Sequence, residues 1–188
     1  MNSIVLVNKE NKIDDSYLDT ISLVEVEEET FLVEKEAALA YLKLKEYLLN
    51  KGITICISSA YRSIERQQEI YDEFVVRYGK EYADKTVASV GCSEHHTALA
   101  IDIDIMVDGN FLIGNHELMK HEDIYLEIHK HLSKFGFILR YMKGKESITG
   151  YIYESWHLRY VGVELATKLY NDGEWITMEE YYGITSNY

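Results

Sequence analysis

Gly91 to Asp104 reads GCSEHHTALAIDID, and its second half alternates without a slip. Leu99, Ile101, Ile103 and Ile105 fall on one side of an extended chain, with Ala100, Asp102 and Asp104 on the other. A strand with this pattern covers an apolar core with one face and leaves the other open. Two aspartates beside the small Ala100 suggest a floor with something above it. Gly91 and Ser93 mark a turn just upstream, and that turn carries His95 and His96. An imidazole and a carboxylate meeting at the mouth of a strand are two of the three protein ligands that a catalytic zinc uses. The rest of the chain has to supply a third ligand and a base.

The 188 residues are 47% hydrophobic, enough for a single domain spanning 1–188 with a sizeable core. A formal net charge of -13 speaks against nucleic acid as a partner, because lysine and arginine drive that binding. It speaks equally against an anionic membrane surface. The first twenty residues hold no apolar run of signal-peptide type, and no segment reaches the roughly 20 apolar residues of a membrane span. The expectation is a cytoplasmic protein without a membrane anchor. Cys56 and Cys92 are too few for a disulfide framework, and Cys56, inside ITICIS, reads as a core residue.

Residues 1–33 read as an irregular N-terminal arm, with extended pieces at Ile4 to Val7 and Ile21 to Val26 and no chemistry. Glu34 to Asn50 carries a broad apolar stripe and predicts the clearest helix, ended by Gly52. Ile53 to Ile57 is β-branched and uncharged, a buried strand. Ser63 caps a helix running to about Tyr78, closed by Gly79, and a short helix follows from Lys80 to about Val87. Tyr61 and Arg62 therefore sit at a strand-to-helix junction, where side chains commonly reach into a site, and Gln67 lies one turn further on. Residues 107–121 are polar and glycine-containing, a surface loop long enough to be a lid or rim. Its His116 and His121, with His129 and His131 on the next helix (Glu122 to Lys134), read as solvated or core histidines. Phe137 to Tyr141 is a strand, and after the final strand come helices at Val163 to Asn171 and Thr177 to Tyr182. The order of elements predicts an α+β fold: helices packed on a small, mostly antiparallel sheet, with the metal at the sheet face.

The final strand, YIYESWHLRYVG, supplies what the opening stretch lacks. His157 and Arg159 share one face. Glu154 would point away from His157 in a regular strand, so a common site requires a bulge or turn at Ser155 and Trp156. Zinc held by His95, Asp102 and His157 keeps a fourth position for water. Glu154 is then the base, and Arg62 is the cation for a developing oxyanion.

SEHHTALAID resembles the SxHxxGxAxD signature of the zinc D-alanyl-D-alanine peptidases of the VanX/VanY kind. ESWHLRYVG resembles their ExWH element, and SSAYRS resembles their YR segment. LVNKENKI and FGFILRYMKGKESITGY also fit, so the likeness covers nearly the whole chain. It implies one zinc ion on His95, Asp102 and His157, with Glu154 as catalytic base and Arg62 at the substrate carbonyl. It implies that Ser93 and Gln67 hold the substrate, Ser93 near its terminal carboxylate, with Tyr61 alongside and Trp156 as a pocket wall. There are departures. Ala98 replaces a glycine, Ser155 replaces the proline of EPWH, and His96 stands where glutamine is frequent and reads as a rim side chain.

The chain most resembles the cytoplasmic VanXY-type enzymes of glycopeptide (vancomycin) resistance. The implied substrate is a small peptide ending in D-Ala-D-Ala, either the free dipeptide or the terminus of the peptidoglycan pentapeptide precursor. An L,D-carboxypeptidase or endopeptidase using the same metal is the alternative, with the 107–121 loop as selector. A non-catalytic stem-peptide binder on this fold is the remaining one.

Overall fold

The computed structural model describes residues 5–13, 15–27, 31–112, 115–171, 173–185 and 188. Ile4, Gly114 and the side chain of His116, which the sequence reading placed in the arm and the loop, lie outside the described residues.

The alternating stretch becomes β4 (Ala100–Val107), the central strand of a five-stranded antiparallel sheet. It is flanked by β3 (Ile55–Ser59) and by β7 (His157–Tyr160), with β6 (Phe137–Leu139) beyond β7 and the short β5 (Asn110–Phe111) folded back on β4. Leu99, Ile101, Ile103 and Ile105 are fully buried, as the alternation requires. Each such side chain contributes about 1.5–3 kcal/mol when removed from water. Against that face pack Ala37, Tyr41, Leu44 and Leu48 of α2 (Lys35–Leu49), and Tyr125 and Ile128 of α6 (Glu122–His129). The mixed α+β architecture with an antiparallel sheet is therefore as expected.

Before β3 come α1 (Asp15–Leu18) and a hairpin of β1 (Leu23–Val26) and β2 (Phe31–Glu34). Between β3 and β4 lie α3 (Ile64–Tyr78) and α4 (Lys80–Thr86). After β5 comes α5 (Asn115–Leu118), after β6 comes α7 (Glu146–Thr149), and after β7 comes α8 (Val163–Leu169). A second hairpin, β8 (Tyr170–Asn171) with β9 (Glu174–Trp175), leads to α9 (Met178–Tyr182).

Several expectations need correction. The 107–121 segment is not a plain loop, since it holds β5 and α5; Leu118 is buried and Leu112 packs on the main core, which anchors it. The helix expected to reach Lys134 ends at His129, and a tight turn, Leu132–Phe135, takes over before Gly136. Cys56 is only half-buried, because Ile55 and Ile57 take the core side of β3. Among the described residues, no helix is long and apolar enough to cross a membrane.

Candidate active site

Strand register assembles the floor of the site. Asp102 on β4 lies directly opposite His157 on β7 and next to Ser59 on β3, where the β3–β4 pairing carries a bulge. His95 comes from the tight turn Glu94–Thr97 that feeds β4. Ser93 caps that turn by accepting the His95 N–H, and Ala98 closes it in the left-handed region at φ 58°. Ala98 therefore occupies the conformation that glycine serves at no steric cost.

One ligand-type atom from each of His95, Asp102 and His157 lies within 4.8 Å of the other two. His95 donates Nδ1–H to the Ala60 carbonyl at 2.8 Å, which turns the Nε2 lone pair toward Asp102 Oδ2, 3.2 Å away. His157 Nδ1 is 3.0 Å from the other oxygen of the same carboxylate. A proton on His157 Nδ1 can bridge that gap, and where the imidazole is neutral its lone pair faces the carboxylate, so a metal cation can take the proton's place between them. Two imidazoles with one carboxylate form a donor set suited to zinc. The residues present fit such an ion.

The electrostatics agree. Burial alone would make Asp102 harder to ionise, but His95 and His157 outweigh it and hold its pKa far below the usual range. Burial also opposes charge on His157, yet hydrogen bonds to Asp102 and Glu94 push its pKa up to about 9. The cluster draws in positive charge. Burial raises the Glu154 carboxyl to about 7, with His157 opposing, which is near the value a general base needs at neutral pH.

Glu154 reaches the cluster through a turn. The chain bends at Ser155 and Trp156, and the His157 N–H closes back on the Glu154 carbonyl. Glu154 Oε2 ends 3.7 Å from His157 Nδ1. His129 stabilises the bend from below by donating Nε2–H to the Ser155 carbonyl at 2.8 Å.

A cavity of about 210 Å³ stands over this floor, and its lining includes Arg62, Gln67, Ser93, Tyr141, Tyr151, Glu154 and Trp156. Arg62 donates to Ser59 Oγ and Gln67 Oε1, both at 3.0 Å, and its backbone is bonded in both directions to the His95–His96 turn. Gln67 is fully buried, and its Nε2 donates to the Ala88 carbonyl at 2.6 Å. Its amide oxygen holds Arg62 in place, and the residue also lines the cavity. Tyr61 does not line the cavity: along extended chain, neighbours point to opposite sides, and Arg62 takes the inner one.

His96 is not at the rim. It is buried, giving Nδ1–H to the Arg62 carbonyl and accepting from Gly91 N–H at Nε2, so neither nitrogen is left for a ligand. None of the described residues of 107–121 lines the cavity; its apolar wall is Ile70 and Phe74 of α3 with Val87 and Ala88 after α4. The sequence reading missed these side chains, although Gln67, Ile70 and Phe74 fall at helical spacing on one face. It also missed Glu94 and Arg140 and gave Arg159 no role beyond a shared strand face with His157; all three are buried, and both arginines bond to Glu94, which reaches His157.

Residues 30–163 match the family described as VanY, D-alanyl-D-alanine carboxypeptidase. A D-alanyl-D-alanine carboxypeptidase of Enterococcus faecalis is 35% identical, covering 95% of this chain and 65% of that protein. The chain thus spans about two thirds of that relative's length. A bifunctional D-Ala-D-Ala dipeptidase and carboxypeptidase of Enterococcus gallinarum, VanXYC, is 28% identical over 97% of this chain and 94% of its own. Among solved structures, a mutant of the D,D-pentapeptidase VanY from the VanB-type vancomycin resistance cassette, in complex with Zn(II), superposes with TM-score 0.81 at 34% identity, covering 97% of this chain and 99% of that one. VanYB in complex with D-alanine-D-alanine gives the same score and identity, covering 96% and 97%. The LD-carboxypeptidase LdcB gives 0.81 at 33% identity, covering 98% and 87%. With the family match across residues 30–163 and this identity across the chain, the protein belongs to the VanY family of D-alanyl-D-alanine carboxypeptidases.

Proposed function

We propose that this chain is a zinc D,D-peptidase that removes the C-terminal D-alanine of peptidoglycan precursors and cleaves D-Ala-D-Ala itself. The convergence of His95, Asp102 and His157, with Glu154 beside them, carries the reading. Relatives named for both reactions support it, as does a related structure holding D-alanine-D-alanine. One zinc ion on those three side chains would supply Lewis acidity toward the scissile carbonyl and toward water.

Everything else falls to the protein. Glu154 takes a proton from the attacking water as its oxygen bonds to the carbonyl carbon, then gives that proton to the amine nitrogen as the C–N bond breaks. Arg62, fixed by Ser59 and Gln67, faces the carbonyl oxygen as negative charge develops on it. The Ser93 hydroxyl, whose lone pair serves the His95 N–H, keeps its proton for the substrate's terminal carboxylate. Trp156, Tyr141 and Tyr151 wall off water.

The test is an assay with D-Ala-D-Ala and with a muramyl pentapeptide, with and without a chelator, together with the zinc content of the purified protein. We expect alanine release that chelation abolishes, one zinc per chain, and a loss of about 10²- to 10⁴-fold in kcat for Glu154→Ala. Activity indifferent to chelation, or unchanged in Glu154→Ala, rejects the mechanism. An L,D-carboxypeptidase is the second reading, supported by the equal superposition on LdcB. Alanine released faster from a tetrapeptide than from a pentapeptide would favour it.

A further inference from the structure

We propose that Glu94 is a positioning residue for the metal centre, fixing His157 so that Nε2–H points at Glu94 and the Nδ1 lone pair points at the ion. The inference rests on the metal reading of the site but not on the identity of the substrate.

Glu94 directly precedes the ligand His95, and nothing in the sequence marks it as more than a solvated neighbour. In the fold its carboxylate has no exposure at all. Oxygen Oε1 accepts from Arg140 Nε and from Arg159 Nη1, both at 2.8 Å. Those two guanidinium groups account for one oxygen and leave Oε2 directed at His157 Nε2, 3.4 Å away. A neutral imidazole bonded to a carboxylate through one nitrogen presents a lone pair on the other, which here faces Asp102. Carboxylate, imidazole and metal position thus form a relay of the kind that orients histidine ligands and raises their basicity.

The arrangement is braced from both ends of the chain. Arg140 places its other edge on Glu179 of α9, with contacts of 2.9 and 2.7 Å, and Glu179 accepts from Asn8 in the N-terminal arm at 3.1 Å. Arg159 also donates to the Val5 carbonyl at 2.7 Å. Among the described residues, two buried carboxylates and two buried guanidinium groups balance in charge behind the metal ligand. The arm, which the sequence reading left without a role, helps hold that balance.

Zinc affinity provides the test, measured by competition with a chromophoric chelator on Glu94→Gln and Glu179→Gln. Both substitutions remove one charge from the same buried network, but only the first touches His157. We expect Glu94→Gln to bind zinc roughly 10- to 100-fold more weakly, with Glu179→Gln close to wild type even if both unfold at lower temperature. Equal affinity loss in the two variants, or none in Glu94→Gln, overturns the proposal. Should Glu94→Gln fail to fold, the wild-type zinc protein decides. Its imidazole ¹H–¹⁵N correlation spectrum must show His157 protonated at Nε2 and not at Nδ1, and the opposite tautomer overturns the proposal. Neither measurement involves a peptide, so a protein that fails to cleave D-Ala-D-Ala would reject the function and leave this assignment standing.

Discussion

Glu154 and His129 flank the same turn, and burial pushes their pKa values in opposite directions, toward the neutral form of each. Glu154 rises to about 7, while His129, packed under the bend, falls to about 4. The histidine has a consequence for stability. Its folded-state pKa lies below the unfolded value of about 6.5, so between those two pH values the unfolded chain binds a proton that the folded one refuses. The contribution of His129 is therefore complete above about pH 6.5 and is lost as pH falls toward 4, a span of about 3 kcal/mol at most. Denaturant melts at steps from pH 7 to 4 should show His129→Gln losing less stability than wild type on acidification, since glutamine can still donate to the Ser155 carbonyl without titrating. Parallel acid limbs would show that His129 takes up its proton as easily when folded. The bend it supports was legible in advance, because Glu154 and His157 cannot share a site on a regular strand. Glu94 was not legible: a glutamate beside a ligand histidine has no sequence mark that separates burial on two arginines from exposure to water.

Among the elements, the link from the Leu132–Phe135 turn into β6 is crowded at its glycine. Gly136 has φ 81°, and a Cβ there would meet Tyr160 Cε2 at 2.8 Å and backbone atoms of Gly162 and Val163 at 3.0 Å. Gly144 has φ 76° with nothing within 4 Å of such a Cβ, so it isolates backbone strain from crowding. We expect Gly144→Ala to cost about 1–2 kcal/mol from the left-handed conformation alone. Gly136→Ala adds roughly 1–3 kcal/mol of overpacking against β7, which carries His157. Denaturant titration of the two variants checks this, and equal losses would mean that the β6–β7 corner yields to the methyl group. Elements of this kind differ in how plainly they are written. The β4 alternation announces its strand because one face must meet a core. The two-residue strands β8 and β9 are too short for any period to emerge, so the expected helix ran through β8. α3 is amphipathic, yet buries only Gln67, and part of its apolar stripe walls the cavity instead of joining the core. Periodicity reveals an apolar face but not what that face meets.

At the scale of the whole molecule, the site exists only when distant segments are folded together. Asp102 and His157 are 55 residues apart, and they meet because β4 and β7 pair in one register. An unfolded chain cannot hold His95, Asp102 and His157 at that spacing, so zinc on the proposed ligands would bind the folded state and stabilise it by mass action. Free zinc at a thousand times its dissociation constant is worth about 4 kcal/mol. For a chain of this size each kcal/mol moves the melting temperature by about 2–4 °C, so chelation should lower it by roughly 8–16 °C. Magnesium should not restore the loss, because it prefers an octahedral oxygen shell to two imidazoles and a carboxylate. Thermal melts of zinc-loaded, chelated and magnesium-treated protein decide the matter, and His157→Ala must lose the zinc response. A melting temperature indifferent to zinc would mean that the three side chains come together for the stability of the sheet and not for an ion.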